Sequence, residues 1–163
     1  MTKKILSVMN DTGVANGLSS CIQKLQDDKK LETIVLSEGP SRNVLDSKFI
    51  NYKTIADYNL NGINEDDVDF IVKRENPDLI LTGFSEGIML EKYAINSAKS
   101  RGRNSVVVLE GYTNYLKIFS DNELKQPFRY MPDYICLMDD FVLEAMTKLK
   151  EIAEAKNHKE ISN

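Results

Sequence analysis

The sequence predicts a single α/β domain in which helices cover both faces of a mostly parallel sheet of roughly five to six strands. Short apolar runs alternate along the chain with segments whose apolar residues recur at helical spacing. Strands joined through helices make right-handed crossovers, which produce such sheets. The length of 163 residues also fits one domain. We therefore expect a Rossmann-like three-layer sandwich over residues 1–155 and a frayed polar tail over 156–163.

The first half of the chain predicts a strand, a turn and a helix in succession. Lys4 to Met9 predicts a buried strand, and the turn at residues 10–13 leads into a helix whose apolar face is Val14, Leu18, Cys21, Ile22 and Leu25. Leu31 to Leu36 predicts a second strand, and Lys48 to Thr54 a short third one. Two interpretations stay open for residues 41–63, which form either this third strand or an ordered loop over a crevice.

Clear signals return at Asn64. This residue, with Asp67 three positions later, predicts the start of a helix that Asn76-Pro77 ends. The apolar run from Asp78 to Gly83 is typical of a parallel strand covered on both faces, and we place it at the centre of the sheet.

The same alternation continues to the end of the domain. A turn at residues 83–87 leads into a helix that runs to about Arg101. Ser105 to Leu109 and Pro132 to Met138 predict two more strands. The last helix is predicted over Asp139 to Ala155, with an apolar face of Val142, Ala145, Met146, Leu149 and Ile152.

Composition argues against several classes of function. Acidic and basic residues are interspersed and the net charge is −4, whereas nucleic-acid binding relies on Lys and Arg that neutralise phosphates. No apolar run approaches the roughly 18 residues of a membrane-spanning helix, and the amino-terminal apolar stretch is too short for a signal peptide. We therefore predict a cytoplasmic protein that binds no nucleic acid and has no transmembrane segment.

Rare residue types exclude further chemistry. The only histidine, His158, lies in the polar tail, which excludes Ser-His-Asp triads and histidine-based zinc sites. Cys21 falls on an apolar helix face and Cys136 in an apolar strand, which predicts small buried side chains rather than a disulfide or metal ligands. The sequence predicts no cofactor and no metal, and it identifies no catalytic residue.

Polar and acidic residues follow four of the predicted strands. Ligands of open α/β sheets bind beyond the carboxyl ends of the strands, near the point where the strand order reverses. We therefore predict a ligand-binding crevice formed by Asn10, Asp11, Thr12, Gly13, Ser85, Glu86, Gly87, Glu110, Tyr112, Asn114 and Asp139.

Several of these residues also have an interpretation that involves no ligand. The segment Thr12 to Gly17 partly matches a glycine-rich nucleotide loop, but Ser19 replaces the third glycine, and helix packing explains both glycines. Ser85 would cap a helix and Glu86 would complement its dipole; alternatively, Glu86 accepts hydrogen bonds from sugar hydroxyls.

Two carboxylates and an aromatic run leave similar alternatives. Asp139 either caps the last helix or belongs to a carboxylate pair with Asp140. Glu110 ends a strand where no helix follows, so it has no capping role and either contacts a ligand or fixes a loop. The aromatic residues either line a groove or cover the sheet edge, and they are Tyr112, Tyr115, Phe119, Phe128 and Tyr130.

Three segments together resemble one known architecture. They are Pro77-Asp-Leu-Ile-Leu-Thr-Gly-Phe-Ser-Glu-Gly87, Ser105-Val-Val-Val-Leu-Glu-Gly-Tyr-Thr-Asn-Tyr115 and Pro132-Asp-Tyr-Ile-Cys-Leu-Met-Asp139. This pattern resembles the amino-terminal, acceptor-side half of GT-B-type glycosyltransferases and of sugar-nucleotide 2-epimerase-like proteins. The resemblance covers roughly residues 3–150.

The resemblance implies a function in glycan or sugar-nucleotide metabolism. The loops at residues 10–13, 85–87 and 110–114 would face an interdomain cleft that receives an acceptor sugar or lipid. The first loop lacks the glycine-rich, histidine-containing form of such enzymes, and Asp11 is the nearest substitute for a base. The donor-binding second domain is not in this sequence, so a glycosyltransferase-like half-enzyme would need a separate donor domain or a second copy. The alternative is a non-catalytic module that binds a small metabolite.

Overall fold

Five parallel strands form the sheet at the centre of the molecule, in the order β2-β1-β3-β4-β5. The computed structural model describes residues 2–85, 87–109, 115–121, 123–137, 140, 142–148 and 151. The strands are β1 (Lys3–Met9), β2 (Leu31–Ser37), β3 (Leu79–Thr82), β4 (Asn104–Val108) and β5 (Tyr134–Cys136). β3 lies in the middle, as its apolar run predicts, and the parallel α/β architecture is confirmed.

Helices cover both faces of this sheet. They are α1 (Thr12–Asp27), α2 (Ser41–Ser47), α3 (Glu65–Glu75), α4 (Leu90–Ser100) and α5 (Tyr115–Phe119), and residues 142–148 are also helical. Because side chains alternate along a strand, β1 supplies Ile5 and Met9 to the core under α1 and α2. Its residues Leu6 and Val8 face the core under α3 and α4. The three layers follow from this alternation.

The helix α3 shows how local sequence sets its ends. Asn64 accepts a hydrogen bond at Oδ1 from the backbone N–H of Asp67 (2.9 Å), as the capping pattern predicts. The helix ends at Asn76, whose φ of 46° is left-handed, directly before Pro77. The predicted bounds of α3 are thus confirmed.

The predicted third strand is reduced to one bridge. Lys53 pairs in parallel with Leu36 at the outer edge of β2, and its N–H donates to the carbonyl of Val35 (2.7 Å). Pairing stops there because Thr54 starts a 3-10 turn (Ile55–Tyr58), held by a capping box with Asp57. Residues 41–47 are helix α2. Of the strand expected over Lys48 to Thr54, only Lys53 pairs with the sheet, so the prediction is wrong for the other residues.

Both cysteines are exposed, which corrects the prediction that they are buried. Cys21 lies one position away from Ile22 on α1, and the helix buries Ile22 instead. Cys136 lies in β5 at the edge of the sheet, where Ile135 packs on the core and Cys136 does not. Periodicity alone does not show where an apolar face ends.

The carboxyl-terminal predictions are only partly covered by the structure. In the last predicted helix, residues 142–148 are helical, Val142 is buried, and Ala145 and Met146 pack beside it. Leu149, Ile152 and the polar tail over 156–163 lie outside the described residues. Within the described part of the chain, no helix is long and apolar enough to cross a membrane.

Gly83 allows α1 to pack closely on the sheet. A Cβ on Gly83 would lie 2.8 Å from Val14 Cγ2, 2.9 Å from Val14 Cγ1 and 3.3 Å from the carbonyl oxygen of Val108. We expect Gly83→Ala to lower the free energy of unfolding by about 1–3 kcal/mol, because α1 must move away from β3. Gly62→Ala is the control, since its Cβ would meet only Asn64 Nδ2 at 3.8 Å. Urea unfolding measures both variants, and equal midpoints would contradict the prediction.

Candidate functional site

Glu91 connects the ends of two neighbouring strands where the strand order reverses. β1 lies between β2 and β3, so the chain changes its direction of winding at the carboxyl ends of β1 and β3. Glu91 lies in the first turn of α4, and its Oε1 accepts hydrogen bonds from the N–H of Asn10 (2.9 Å) and from Ser85 Oγ (2.5 Å). One carboxylate oxygen therefore holds the loops that follow β1 and β3.

The environment of Glu91 changes its acidity. The side chain is completely buried, with 0% relative exposure, and this burial raises the pKa of Glu91 to about 7. The hydrogen bonds from Ser85 and Asn10 lower the pKa because they stabilise the carboxylate, and the nearby charge of Asp11 raises it. Near neutral pH the group is therefore divided between its protonated and ionised forms.

The second oxygen of Glu91 is also buried. Oε2 has no hydrogen-bond partner among the residues that the structure describes. An unsatisfied buried oxygen costs about 1–3 kcal/mol, and such an atom is where a bound water or a ligand hydroxyl is expected. The arrangement can hold two loops together and can accept or release one proton.

Lys92, the next residue, reaches another part of the same edge. Its Nζ donates to the carbonyl oxygens of Lys117 (3.2 Å) and Ser120 (2.8 Å), at the end of α5, and lies 5.8 Å from the centre of the Tyr130 ring. Burial lowers the pKa of Lys92, and the charge of Asp121 opposes that change. A cation beside the last carbonyls of a helix is favourable, so Lys92 fixes the position of α5.

The loop after β1 contains four predicted site residues. Asn10 is buried, and its carbonyl oxygen accepts a hydrogen bond from the N–H of Ser41 (3.0 Å). Asp11 caps α1 by accepting a hydrogen bond from Val14 N–H (3.0 Å), a role that sequence analysis did not assign to it. Thr12 and Gly13 are exposed in the first turn of α1.

The turn after β3 corrects one prediction. α4 begins at Leu90, so Ser85 does not cap it and instead donates to Glu91 from a buried position. Gly87 is exposed, with a left-handed φ of 76°. The helix starts later than predicted, and Gly87 with its left-handed φ cannot belong to its first turn. The remaining predicted site residues lie outside the described residues: Glu86, Glu110, Tyr112, Asn114 and Asp139.

The aromatic run covers the sheet instead of lining an open groove. Tyr115, Phe119 and Tyr130 are buried, and Phe128 packs against the same cluster. The rings of Phe84 and Phe119 meet edge to face, with centroids 5.0 Å apart. Tyr112 lies outside the described residues. For Tyr115, Phe119 and Phe128, which pack in the cluster with Val107 of β4 and Ile135 of β5, the cover interpretation is confirmed.

Sequence analysis missed Glu91, although the sequence carries a signal for it. Glu91 shares a helix face with Ala94, Ile95 and Ala98, all of which are buried. A carboxylate at such a position is rarely buried unless it has partners. Reading α4 for a charge on its apolar face would have identified the residue. Among the described residues, no group of three or more His, Cys, Asp or Glu side chains is placed to hold a metal ion.

The fold is that of the amino-terminal half of GT-B-like proteins. The UDP-GlcNAc 2-epimerase of Methanocaldococcus jannaschii matches with a TM-score of 0.65 at 9% identity, over 90% of this chain and 42% of that one. MurG of Acinetobacter baumannii matches with a TM-score of 0.55 at 12% identity, over 84% of this chain and 41% of that one. These identities show a shared fold.

A third structure contains a ligand. The UDP-GlcNAc 2-epimerase of Neisseria meningitidis, bound to UDP-GlcNAc, matches with a TM-score of 0.56 at 17% identity, over 70% of this chain and 34% of that one. The chain spans between 29% and 45% of the length of the epimerases and MurG that it matches. No protein-family profile and no curated protein sequence matches it.

The raised pKa of Glu91 predicts a pH-dependent stability. Unfolding returns the pKa to about 4.5 from about 7, so the folded state binds more protons between these values. The stabilisation is complete below about pH 4.5 and is lost as the pH rises through 7, by roughly 3 kcal/mol. We expect Glu91→Gln to remove this loss. The test is urea unfolding of both proteins from pH 4.5 to 8, and a difference in free energy that does not vary with pH would contradict it.

Lys92 gives a separate prediction about α5. Lys92→Met keeps a similar length but leaves the carbonyl oxygens of Lys117 and Ser120 without this donor. We expect a loss of about 1–3 kcal/mol and faster amide hydrogen exchange in residues 115–121. Lys99→Met, at the exposed end of α4, is the control. Protection in 115–121 that matches the wild type would show that Lys92 does not hold α5.

Proposed function

We propose that this chain acts as the amino-terminal half of a GT-B-like system in glycan or sugar-nucleotide metabolism. The observation that carries the proposal is the fold match over 70% to 90% of this chain with 2-epimerases and MurG. Two of the matching structures contain UDP or UDP-GlcNAc. The ligand proposed for this chain is accordingly a sugar or a sugar nucleotide.

The ligand would bind beyond the ends of β1, β3 and β4. The exposed first turn of α1 at Thr12 and Gly13 and the exposed Gly87 leave backbone accessible at this edge. Glu91 stabilises the two loops of the proposed site, because its hydrogen bonds fix Asn10 and Ser85 relative to each other. The proposed contacts from the loops outside the described residues are Glu86, Glu110, Tyr112, Asn114 and Asp139.

A GT-B-like reaction would require a second domain. The chain corresponds to less than half the length of its structural relatives. We therefore include in the proposal that this chain works with a donor-binding domain or with a second copy of itself. A cytoplasmic location is part of the same proposal.

A non-catalytic binding module is the second candidate, and two observations favour it. Asp11 is engaged as the cap of α1, although the first loop offers no other candidate base. Glu91 has a pKa suited to proton transfer but is completely buried under the two loops. Both carboxylates therefore stabilise the structure of the site and are not placed to react with a ligand. A module that binds and presents a metabolite needs no catalytic group.

A ligand screen tests the binding proposal. We expect UDP-GlcNAc or UDP to raise the melting temperature by about 5–11 °C when present at about 100 times its dissociation constant, because binding then adds about 2.7 kcal/mol. Glu110→Gln should remove most of the shift. Glu144→Gln, on the exposed helix over 142–148, is the matched control and should retain it.

Three results would decide between the candidates. Absence of a shift with any sugar or uridine nucleotide would contradict the ligand proposal. A shift that survives Glu110→Gln would place the ligand elsewhere. If UDP-GlcNAc binds and chromatography of the reaction mixture shows no conversion by the chain alone, the result supports either the module or a half-enzyme, and adding a candidate donor domain separates the two.

A further inference from the structure

A separate cavity lies at the same edge of the sheet, beside the end of β2. It has a volume of about 270 Å³, and its walls are Glu38, Ile55, Ala56, Leu60, Asn61, Gly62 and Ile63. Glu38 directly follows β2, and its N–H donates to the carbonyl oxygen of Met9 (3.1 Å) at the end of β1. The cavity, here called the Glu38 pocket, is therefore adjacent to the crevice at Asn10.

The carboxylate of Glu38 is held in place by one of its two oxygens. Oε1 accepts a hydrogen bond from the N–H of Ile55 (2.6 Å). Oε2 lies 3.9 Å from Nη1 of Arg42, too far for a hydrogen bond, and accepts none from the described residues. The side chain retains 17% exposure. The wall of the pocket thus includes a carboxylate whose Oε2 pairs only loosely with Arg42 and retains the capacity to accept hydrogen bonds.

The opposite wall of the pocket is also anchored. The 3-10 turn over Ile55–Tyr58 is closed at its start by the Thr54–Asp57 capping box. At its end, Tyr58 Oη donates to Glu75 Oε1 (2.7 Å), and Lys53 Nζ lies 3.0 Å from the same oxygen. A wall fixed at both ends keeps the backbone of Ile55 beside the Glu38 carboxylate, so this wall need not lose chain entropy when a ligand binds.

This combination suits the hydroxyl groups of a sugar ring. A carboxylate oxygen accepts hydrogen bonds from hydroxyls, and the apolar side chains of Leu60 and Ile63 suit the C–H groups of the ring. A volume of 270 Å³ falls just below the roughly 300–1,000 Å³ of sites for whole drug-sized ligands, which fits one ring.

We propose that the Glu38 pocket binds a ring that carries vicinal hydroxyl groups, with Glu38 Oε2 accepting hydrogen bonds from them. The ring is either the ribose of a nucleoside or a pyranose. The inference extends the proposed function by naming a subsite for one ring of a sugar or sugar-nucleotide ligand. It depends on that function only for the identity of the complete ligand, because the pocket and its carboxylate are separate from the crevice residues.

Titrations followed by two-dimensional 1H–15N NMR of the full chain test the proposal. The probes are uridine, 2′-deoxyuridine and N-acetylglucosamine. We expect uridine or N-acetylglucosamine to shift the amide signals of Glu38, Ile55, Asn61 and Gly62. A response to uridine identifies ribose as the ring, and a response to N-acetylglucosamine identifies a pyranose. If uridine binds, 2′-deoxyuridine should bind more weakly because it lacks one of the two hydroxyls.

Glu38→Gln is the central variant, because its amide oxygen can still accept the hydrogen bond from Ile55 while the charged acceptor is lost. We expect binding of the responding ring to weaken about 10- to 100-fold, the usual worth of hydrogen bonds to a charged group. Glu32→Gln, at the opposite end of β2, makes the same chemical change and should leave binding unchanged. Ala56→Leu, at an exposed position that lines the pocket, should also weaken binding.

The same spectra separate this inference from the proposed function. UDP-GlcNAc that shifts only Thr12, Gly13, Ser85 and Gly87 would overturn the Glu38 pocket and support the crevice. Shifts confined to Glu38 and residues 55–63 would support the pocket and contradict the crevice. Failure of both rings to perturb the pocket, or undiminished binding to Glu38→Gln, would overturn the inference. If uridine is the responding ring, equal binding of 2′-deoxyuridine would also overturn it.

Discussion

Two buried ionisable side chains at the start of α4 hold the strand-end edge of this domain together. Glu91 accepts hydrogen bonds from the loops after β1 and β3, and Lys92 donates to the carbonyls at the end of α5. Burial of either charge is unfavourable unless hydrogen bonds compensate for the lost water. The compensation comes from three different parts of the chain, so the position of one helix turn determines the position of the loops around the proposed crevice.

Close backbone contacts extend this constraint to β2. Gly39 follows Glu38 with a left-handed φ of 57°, and a Cβ there would lie 2.8 Å from Asn10 Oδ1. Gly83 similarly leaves room for Val14 at the start of α1. At Gly39 and Gly83, the segments that follow β2 and β3 therefore pack so closely that a larger residue would not fit. Asn10 of the crevice therefore lies next to the segment that carries Glu38 of the pocket. A ligand that occupies both sites would extend the proposed function.

The parts of the fold that depend on local pattern could be predicted. Val8 and Ile80 belong to apolar runs long enough to indicate strands buried on both faces, and Asn64 with Asp67 marked the start of α3. The predictions that were wrong concern residues whose environment depends on distant parts of the fold. Among the described residues, no strand lies on the outer side of Cys136, although Cys136 has strand character. Ser85 has cap character but a partner elsewhere.

The candidate site divides in the same way. By itself, the sequence determined the α/β class, the parallel sheet and the edge at which polar loops collect, because these follow from hydrophobic period and turn residues. Only the tertiary structure decided that Glu91 is the buried acceptor that joins the loops after β1 and β3. The reason is distance along the chain: Asn10 and Glu91 are 81 residues apart, and their contact exists only after the crossover returns the chain beside β1.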